Sequence, residues 1–389
     1  MLPTVEEADL TNLAFELIQT SSALTAPMPI PVQDELGRLV RSMNCYYSNL
    51  IEGHQTNPRD IERALARDLD VPGRKRDLQE EAIAHIAVQA AIDTGALLNS
   101  DWPTSEQYIR SIHREFCSRL PDRLLWVKSQ DSDRQVQVVP GEFRKDIVDI
   151  GRHRPPAPNL LNAFVSRFES AYAPGNLSKV QQLLSSAAAH HRLLWIHPFV
   201  DGNGRVARLM SHAILLRLGV GSSLWSISRG LARNVESYKA HLAAADSSRR
   251  GDFDGRGALS YSALKEFCRF FLEACLDQVE FMRKLVQPAE IVRRIEIYVA
   301  EEVHARRLPK GSFEMLREAF FKGEVPRGRA PELTGYEERR ARETVSTLVE
   351  KGLLISKGPR AALTIGFPMF VLERWLPALY PGNMTSLQQ

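Results

Sequence analysis

His197-Pro198-Phe199-Val200-Asp201-Gly202-Asn203-Gly204-Arg205-Val206-Ala207-Arg208 is the run from which the rest of the chain is most easily read. It separates two apolar helical patterns, residues 179–195 and 204–218, the second stopped by Gly219. Gly202 and Gly204 open backbone conformations closed to other residues. Successive amides can then point inward as an anion nest, backed by the N-terminus of the following helix. Arg205 and Arg208 are three apart on that helix and share a face, where their forked donors suit phosphate oxygens. Asp201 supplies a hard carboxylate oxygen of the kind that holds Mg²⁺ alongside water and phosphate. His197 carries the side chain that titrates near neutrality and is apt for taking a hydroxyl proton. One loop thus offers a base, a metal ligand, an anion nest and two phosphate clamps.

The run matches the Fic motif, H-x-F-x-D/E-G-N-G-R-x-x-R, at every defined position, and on these residues the chain resembles a Fic-domain protein. Pro140-Gly141-Glu142-Phe143-Arg144 and Asp149-Ile150-Gly151 look like the family's lead into its β-hairpin flap, so the resemblance spans roughly residues 105–285. It implies transfer of AMP from ATP to a Tyr, Ser or Thr hydroxyl of a target protein, with release of pyrophosphate. Carried over position by position, His197 becomes the general base and Asp201 the Mg²⁺ ligand. Gly202, Asn203, Gly204 and Arg205 hold the α- and β-phosphates, with Val206 and Ala207 beside them, and Arg208 holds the γ-phosphate. Phe199 anchors the loop in the core. The flap, around residues 148–155, aligns the target main chain by strand addition. Tyr238 resembles one of two adjacent tyrosines near the adenine end, but the first position here is Ser237, and core packing is the competing reading of Tyr238.

Upstream, Ser48-Asn49-Leu50-Ile51-Glu52-Gly53 resembles the family's inhibitory helix, Ser/Thr-x-x-x-Glu-Gly/Asn. The resemblance implies that Glu52 pairs with Arg208. A carboxylate there occupies the guanidinium donors and repels an incoming γ-phosphate. The bland alternative is an ordinary helix-capping glutamate.

Outward from the motif the chain reads as mostly α, in three parts: an N-terminal helical region over 1–104, a Fic-type helical core with a short flap over 105–287, and a winged helix-turn-helix over 288–389. Helices are expected at 32–48, from Pro58 with Asn57 as cap, at 78–98 after a turn at 69–76, and at 104–120 with Thr104 and Gln107 as a capping box. Val136–Gly141 and Ile147–Gly151 have β character, and three prolines exclude helix from 152–158. Helices resume at 159–172 and 261–285, the latter with Phe267, Phe270 and Phe271 as a core stripe. His190 and His191 read as packing or surface residues. Asp252-Phe253-Asp254-Gly255 lacks the remaining ligands of a calcium loop and reads as a polar loop. Beyond Pro288, helices at 290–303, 313–321 and 336–351, a Gly/Pro loop at 323–331 and strands at 353–356 and 361–365 follow the order of a winged helix.

With 389 residues, 44% hydrophobic and 25% charged, the composition is that of a globular protein and excludes a disordered, collagenous or coiled-coil chain. No apolar run is long enough for a bilayer, and the acidic start lacks a secretory signal's basic region. With four scattered cysteines (Cys45, Cys117, Cys268 and Cys275), this predicts a cytoplasmic protein with free thiols. Net charge is +3, and all of that excess falls from Glu290 onward, where sixteen basic residues meet thirteen acidic ones. That points residues 290–389 toward an anionic partner, either DNA or a protein; Arg339, Arg340 and Arg342 form the candidate face, diluted by Glu337, Glu338 and Glu343. Oligomeric state stays open, a homodimer included. Two rival functions remain beside adenylylation: a hydrolase that removes AMP with Glu52 positioning a water, and a DNA-binding regulator whose core senses nucleotide. A transferase using another phosphate-linked donor is a nearer variant.

Overall fold

The computed structural model describes residues 8–24, 28–97, 100–128, 134–151, 153–175 and 177–380. They form two compact units, Met1–Ser22 with Asn44–Val279, and Ala23–Met43 with Glu280–Gln389. Residues 44–104 therefore pack in the same unit as the motif.

The first unit is built around the pair of helices Lys179–Ile196 and Asn203–Arg217 that flank the motif loop. The first starts at a full capping box, Ser178 with Gln181, and buries Ala187, Ala188 and Ala189 completely. Small side chains there let its neighbours approach closely. The second is buried nearly all round, from Arg205 to Leu215, as a central helix must be. Helices Ala8–Ser22, Glu106–Cys117, Leu161–Tyr172 and Tyr261–Leu285 surround this pair. Phe267 and Phe271 of the expected core stripe are buried, with Leu272 beside them, whereas Phe270 is half-buried and stacks on His241.

Several boundaries differ from the sequence reading, each for a local reason. The cap expected at Thr104 is Ser105, whose side chain accepts from the Tyr108 amide, and the helix runs Glu106–Cys117. Thr104 instead donates to the Tyr172 carbonyl at 3.1 Å. The helix expected at 78–98 is Arg74–Asp93, since Gly73 lets the chain turn directly into it; Leu98 lies outside the described residues. The strand expected at 136–141 is shorter, Gln135–Gln137, pairing antiparallel with Trp126–Lys128. At 147–151 only a single bridge forms, Ile150 with His153, around Gly151 at φ +59°. The prolines that follow prevent longer pairing. Arg152, inside the expected flap, lies outside the described residues.

In the second unit, helices Pro288–His304, Ser312–Lys322 and Glu338–Glu350 precede an antiparallel hairpin, Leu354–Ser356 with Leu363–Ile365, and helix Met369–Trp375 closes the order. The loop expected at 323–331 holds a 3₁₀ turn, Arg327–Arg329, leading into helix Ala330–Thr334. Pro331 is tolerated because it sits in that helix's first turn. Gly366 approaches the Gly352 carbonyl too closely for any side chain. Phe320, Leu348, Leu363, Ile365 and Trp375 form the core.

All four cysteines are free and buried, and no helix among the described residues is long and apolar enough to cross a membrane.

Candidate active site

The motif loop is held from behind by its own backbone and by residues far away in sequence. His197 ends its helix in the left-handed region, φ 48° and ψ 61°, which turns the chain sharply toward Pro198. Such a conformation costs a non-glycine residue about 1–3 kcal/mol and persists only where the surroundings hold it. Arg144 supplies much of that support. Its Nε donates to the His197 carbonyl at 2.8 Å, its Nη2 to the Pro156 carbonyl at 2.6 Å and its Nη1 to the Asp146 carbonyl at 3.0 Å, while its amide donates to Pro198 at 2.9 Å. Phe199 is fully buried and stacks on His113, with ring centroids 3.9 Å apart. His113 Nδ1 accepts from the Gly141 amide at 2.9 Å. Asn203 closes the loop: its Oδ1 accepts from the Phe199 amide at 3.0 Å and its Nδ2 donates to the Phe199 carbonyl at 2.9 Å.

Burial, followed by the Arg144 charge, pushes the His197 imidazole down to about 3, so it is neutral at neutral pH. The Leu194 carbonyl takes a hydrogen bond from the ring, leaving the other ring nitrogen as an acceptor.

The following helix begins at Gly202, φ +79°, and its first intrahelical bond runs from the Val206 amide to the Gly202 carbonyl at 3.0 Å. The amides ahead of Val206 have no intrahelical acceptor and form the positive end of the helix. A carboxylate lies over that end. Glu52 Oε1 is so close to Gly204 that any side chain at that position would collide with it. The same oxygen accepts from Arg208 Nη2 at 2.5 Å. Arg208 also donates from Nε to the Ser48 hydroxyl at 3.0 Å and from Nη2 to the Ser48 carbonyl at 3.4 Å. Burial works to raise the Glu52 carboxyl, but the Arg208 and Arg205 charges outweigh it and hold it below the usual carboxylate range.

Arg205 is engaged separately. Its Nη2 donates to Glu81 Oε2 and lies 3.4 Å from His54 Nδ1, and its guanidinium sits 5.0 Å over the Phe116 ring. Its buried Nε has no hydrogen-bond partner. The Glu81 carboxyl is likewise depressed, His54 and Arg205 overcoming the effect of burial.

The predicted residues thus divide. Glu52, Gly204 and Arg208 meet at the helix N-terminus that Gly202 opens, and the Glu52 charge also acts on His197. Asn203 contributes its backbone there, because its side chain is committed to Phe199. Val206 and Ala207 are buried in the helix, beyond the free amides. Tyr238 is 2% exposed, with its hydroxyl 2.7 Å from His190 Nε2, and burial raises its phenol well above the ordinary value. It is a core residue behind Arg208, and Ser237 next to it is exposed. His190 and His191 are buried packing residues, bonded to Ser211 and Leu242. Arg144, His113, Glu81 and His54 carried no role in the sequence reading. Arg144 stood inside the quoted flap segment, whereas the others are too distant in sequence for spacing to reveal them.

Asp201 is exposed on the loop. Among the described residues no group of three His, Cys, Asp or Glu gathers in metal-binding fashion. A single open carboxylate near a helix N-terminus fits Mg²⁺, which keeps most of its shell as water and ligand oxygens.

Comparison with known proteins agrees with this geometry. Residues 103–215 match the model of the Fic/DOC family. The protein adenylyltransferase Fic of Culex quinquefasciatus is 29% identical over 174 residues, covering 45% of this chain and 32% of that one. The protein of the same name in Drosophila melanogaster is 43% identical over 79 residues, covering 20% and 16%. The chain therefore spans about a third or less of these relatives' lengths. A Fic family protein from Desulfovibrio desulfuricans shares the fold across 95% of this chain and 99% of its own, with TM-score 0.56 and 16% identity. A Fic domain-containing signalling protein from Bacteroides thetaiotaomicron covers 70% and 96%, with TM-score 0.53 and 20% identity. The likeness to the Fic/DOC family thus lies in residues 103–215.

Proposed function

We propose that this chain is a protein adenylyltransferase, moving AMP from ATP to a Tyr, Ser or Thr hydroxyl of a target protein. The observation that carries the reading is the pairing of a neutral, loop-held His197 with a positive seat made of a helix N-terminus and Arg208. In the step, the hydroxyl oxygen bonds to the α-phosphorus and the bond from that phosphorus to the bridging oxygen of the β-phosphate breaks. Pyrophosphate leaves with the electron pair, and the hydroxyl proton passes to the free ring nitrogen of His197. The amides of Asn203, Gly204 and Arg205 receive phosphate oxygens, and Arg208 takes the terminal phosphate once Glu52 withdraws. Asp201 would hold Mg²⁺, which supplies charge neutralisation between the phosphates. The backbone of the Ile150–His153 turn offers the target main chain an edge for strand addition.

Glu52 acts in this reading as an inhibitor. Its carboxylate stands over the helix N-terminus and on Arg208, where a γ-phosphate would go, so the chain as it stands is in its restrained state. The same placement supports a second reading, hydrolytic removal of AMP, since a carboxylate beside the seat can also take a proton from water. For the segment 288–389 we propose a winged-helix docking role. Arg339 and Arg342 pair with Glu343 and Glu338, which favours a protein over DNA as its partner.

Intact-mass measurement after incubation with Mg-ATP tests the proposal. Glu52→Gly should gain AMP adducts, and adding His197→Ala in the same chain should abolish them. Adducts of equal yield without His197 would remove it as the base. Loss of AMP from a pre-adenylylated chain by the wild type would favour the hydrolase.

A further inference from the structure

A cavity of about 300 Å³ lies among helix Leu161–Tyr172, the end of helix Lys179–Ile196 and residues 257–264. Its wall carries Phe164, Phe168, Tyr172 and Trp195 together with two arginines, Arg167 and Arg192. The rings pack in two tilted pairs, Phe164 with Trp195 at 5.5 Å between centroids and Phe168 with Tyr172 at 5.0 Å, which gives the cavity an aromatic wall. Neither arginine forms an ion pair with a carboxylate among the described residues. Arg192 Nη1 donates to the Ala245 carbonyl at 3.3 Å and lies 3.0 Å from His191 Nδ1. The nearby Asp246 is committed to His191, at 3.0 Å. Arg192 is thus a partly buried cation that hydrogen-bonds the Tyr172 hydroxyl and feels Asp246 only at longer range, and burial holds its pKa below the ordinary arginine value. Such a charge is costly in an apolar setting and is relieved by an anion.

We propose that this cavity is a binding site for a small aromatic carboxylate, its ring held by Phe164, Phe168 and Trp195 and its carboxylate by Arg192, with the exposed Arg167 at the mouth. The volume equals about ten water molecules at liquid density, room for a one- or two-ring molecule. Aromatic walls with a lone convergent cation make a ligand pocket of the usual mixed kind, and guanidinium suits a carboxylate bidentately. The site shares no residue with the phosphate seat and does not depend on the adenylylation reading.

Calorimetric titration of the full chain with naphthalene-2-carboxylate, and with the neutral isostere naphthalene-2-carboxamide, tests it. The acid should bind saturably, one molecule per chain, at least tenfold tighter than the amide. Arg192→Met should weaken the acid at least tenfold. Ala171→Phe, which fills the cavity and leaves the guanidinium in place, should abolish binding whether or not Arg192→Met folds. Arg208→Ala should leave binding unchanged, because that arginine belongs to the phosphate seat. Equal affinity for acid and amide, no saturable heat, or loss of binding in Arg208→Ala but not in Ala171→Phe would overturn the proposal.

Discussion

Replacing Glu52 by glycine should pull stability and activity in opposite directions. Arg208 keeps only 2% of its side-chain surface, whereas Glu52 keeps 35%. A charge-assisted hydrogen bond contributes about 1.5–3 kcal/mol, and the partial exposure of Glu52 reduces its share to about 1–2 kcal/mol. The glycine variant loses that, and its thermal midpoint should fall by a few degrees. The same interference no longer opposes the triphosphate, so transfer should rise at least tenfold, which about 1.4 kcal/mol suffices to produce. Mg-ATP should then restore the lost stability in the variant, by linkage, and have a smaller effect on the wild type. Arg208→Ala should not imitate the activation, since it removes the clamp with the inhibitor, and the double variant should resemble Arg208→Ala. Thermal unfolding with and without Mg-ATP, beside intact mass on the same preparations, checks all of this. Unchanged automodification across a range of ATP concentrations, or an equal ATP-induced thermal shift in both chains, would refute the reasoning.

Further expectations follow from the struts behind the loop. Arg144→Met should lower kcat with little change in the KM for ATP, because Arg144 holds the His197 backbone and not the phosphates; a change in KM alone would contradict it. Asn203→Ala removes both hydrogen bonds to Phe199 and should cost about 2–3 kcal/mol in a denaturant titration. Ser105→Ala should cost about 1 kcal/mol as the true cap. Five buried histidines, His85, His113, His190, His191 and His197, have depressed folded pKa values, near 3 to 4 where resolved. The unfolded chain, at about 6.5, binds more protons between these values, so stability rises with pH across that window and is lost as pH falls below 6.5. Thermal midpoints at pH 7.5 and pH 5 should differ accordingly, and unfolding at pH 5 should take up more than two protons.

Most helices were legible because their cues are local. Apolar spacing sets Tyr261–Leu285, and Asn57 before Pro58 sets the start of Pro58–Leu65. The misplaced cap at Thr104 shows where local cues run out. Two adjacent hydroxyl residues can each begin the helix, and the choice fell to Ser105 with Thr104 bonded to Tyr172, a partner 68 residues away. The motif likewise announced its chemistry but not its supports. Asn203 carries the family's asparagine, yet its role as a brace for Phe199 depends on loop closure that spacing alone does not describe.

The two motif arginines bring the same point to the site itself. In sequence both are cationic and on one helix, and the resemblance assigns Arg205 to the α- and β-phosphates and Arg208 to the γ-phosphate. Within the fold each is a buried guanidinium that requires a counter-charge, and each has one, Glu81 for Arg205 and Glu52 for Arg208. The presence of a carboxylate therefore does not by itself mark an inhibitor. What separates the two is their burial and their neighbours. Glu81 keeps 14% of its side-chain surface and is held further by His54. Withdrawing it would strand Arg205, whose Nε already lacks a partner. Glu52 is more exposed, it lies in the turn just past the end of helix Ile30–Ile51 and before Gly53 at φ +80°, and its departure leaves Arg208 still bonded to Ser48. On these grounds Glu52 leaves at less cost than Glu81, provided an anion takes its place on Arg208. On this reasoning Glu81→Gln should lower both stability and transfer, the reverse of the activation expected from Glu52→Gly, and a Glu81→Gln chain that gained AMP faster would show that both carboxylates are gates.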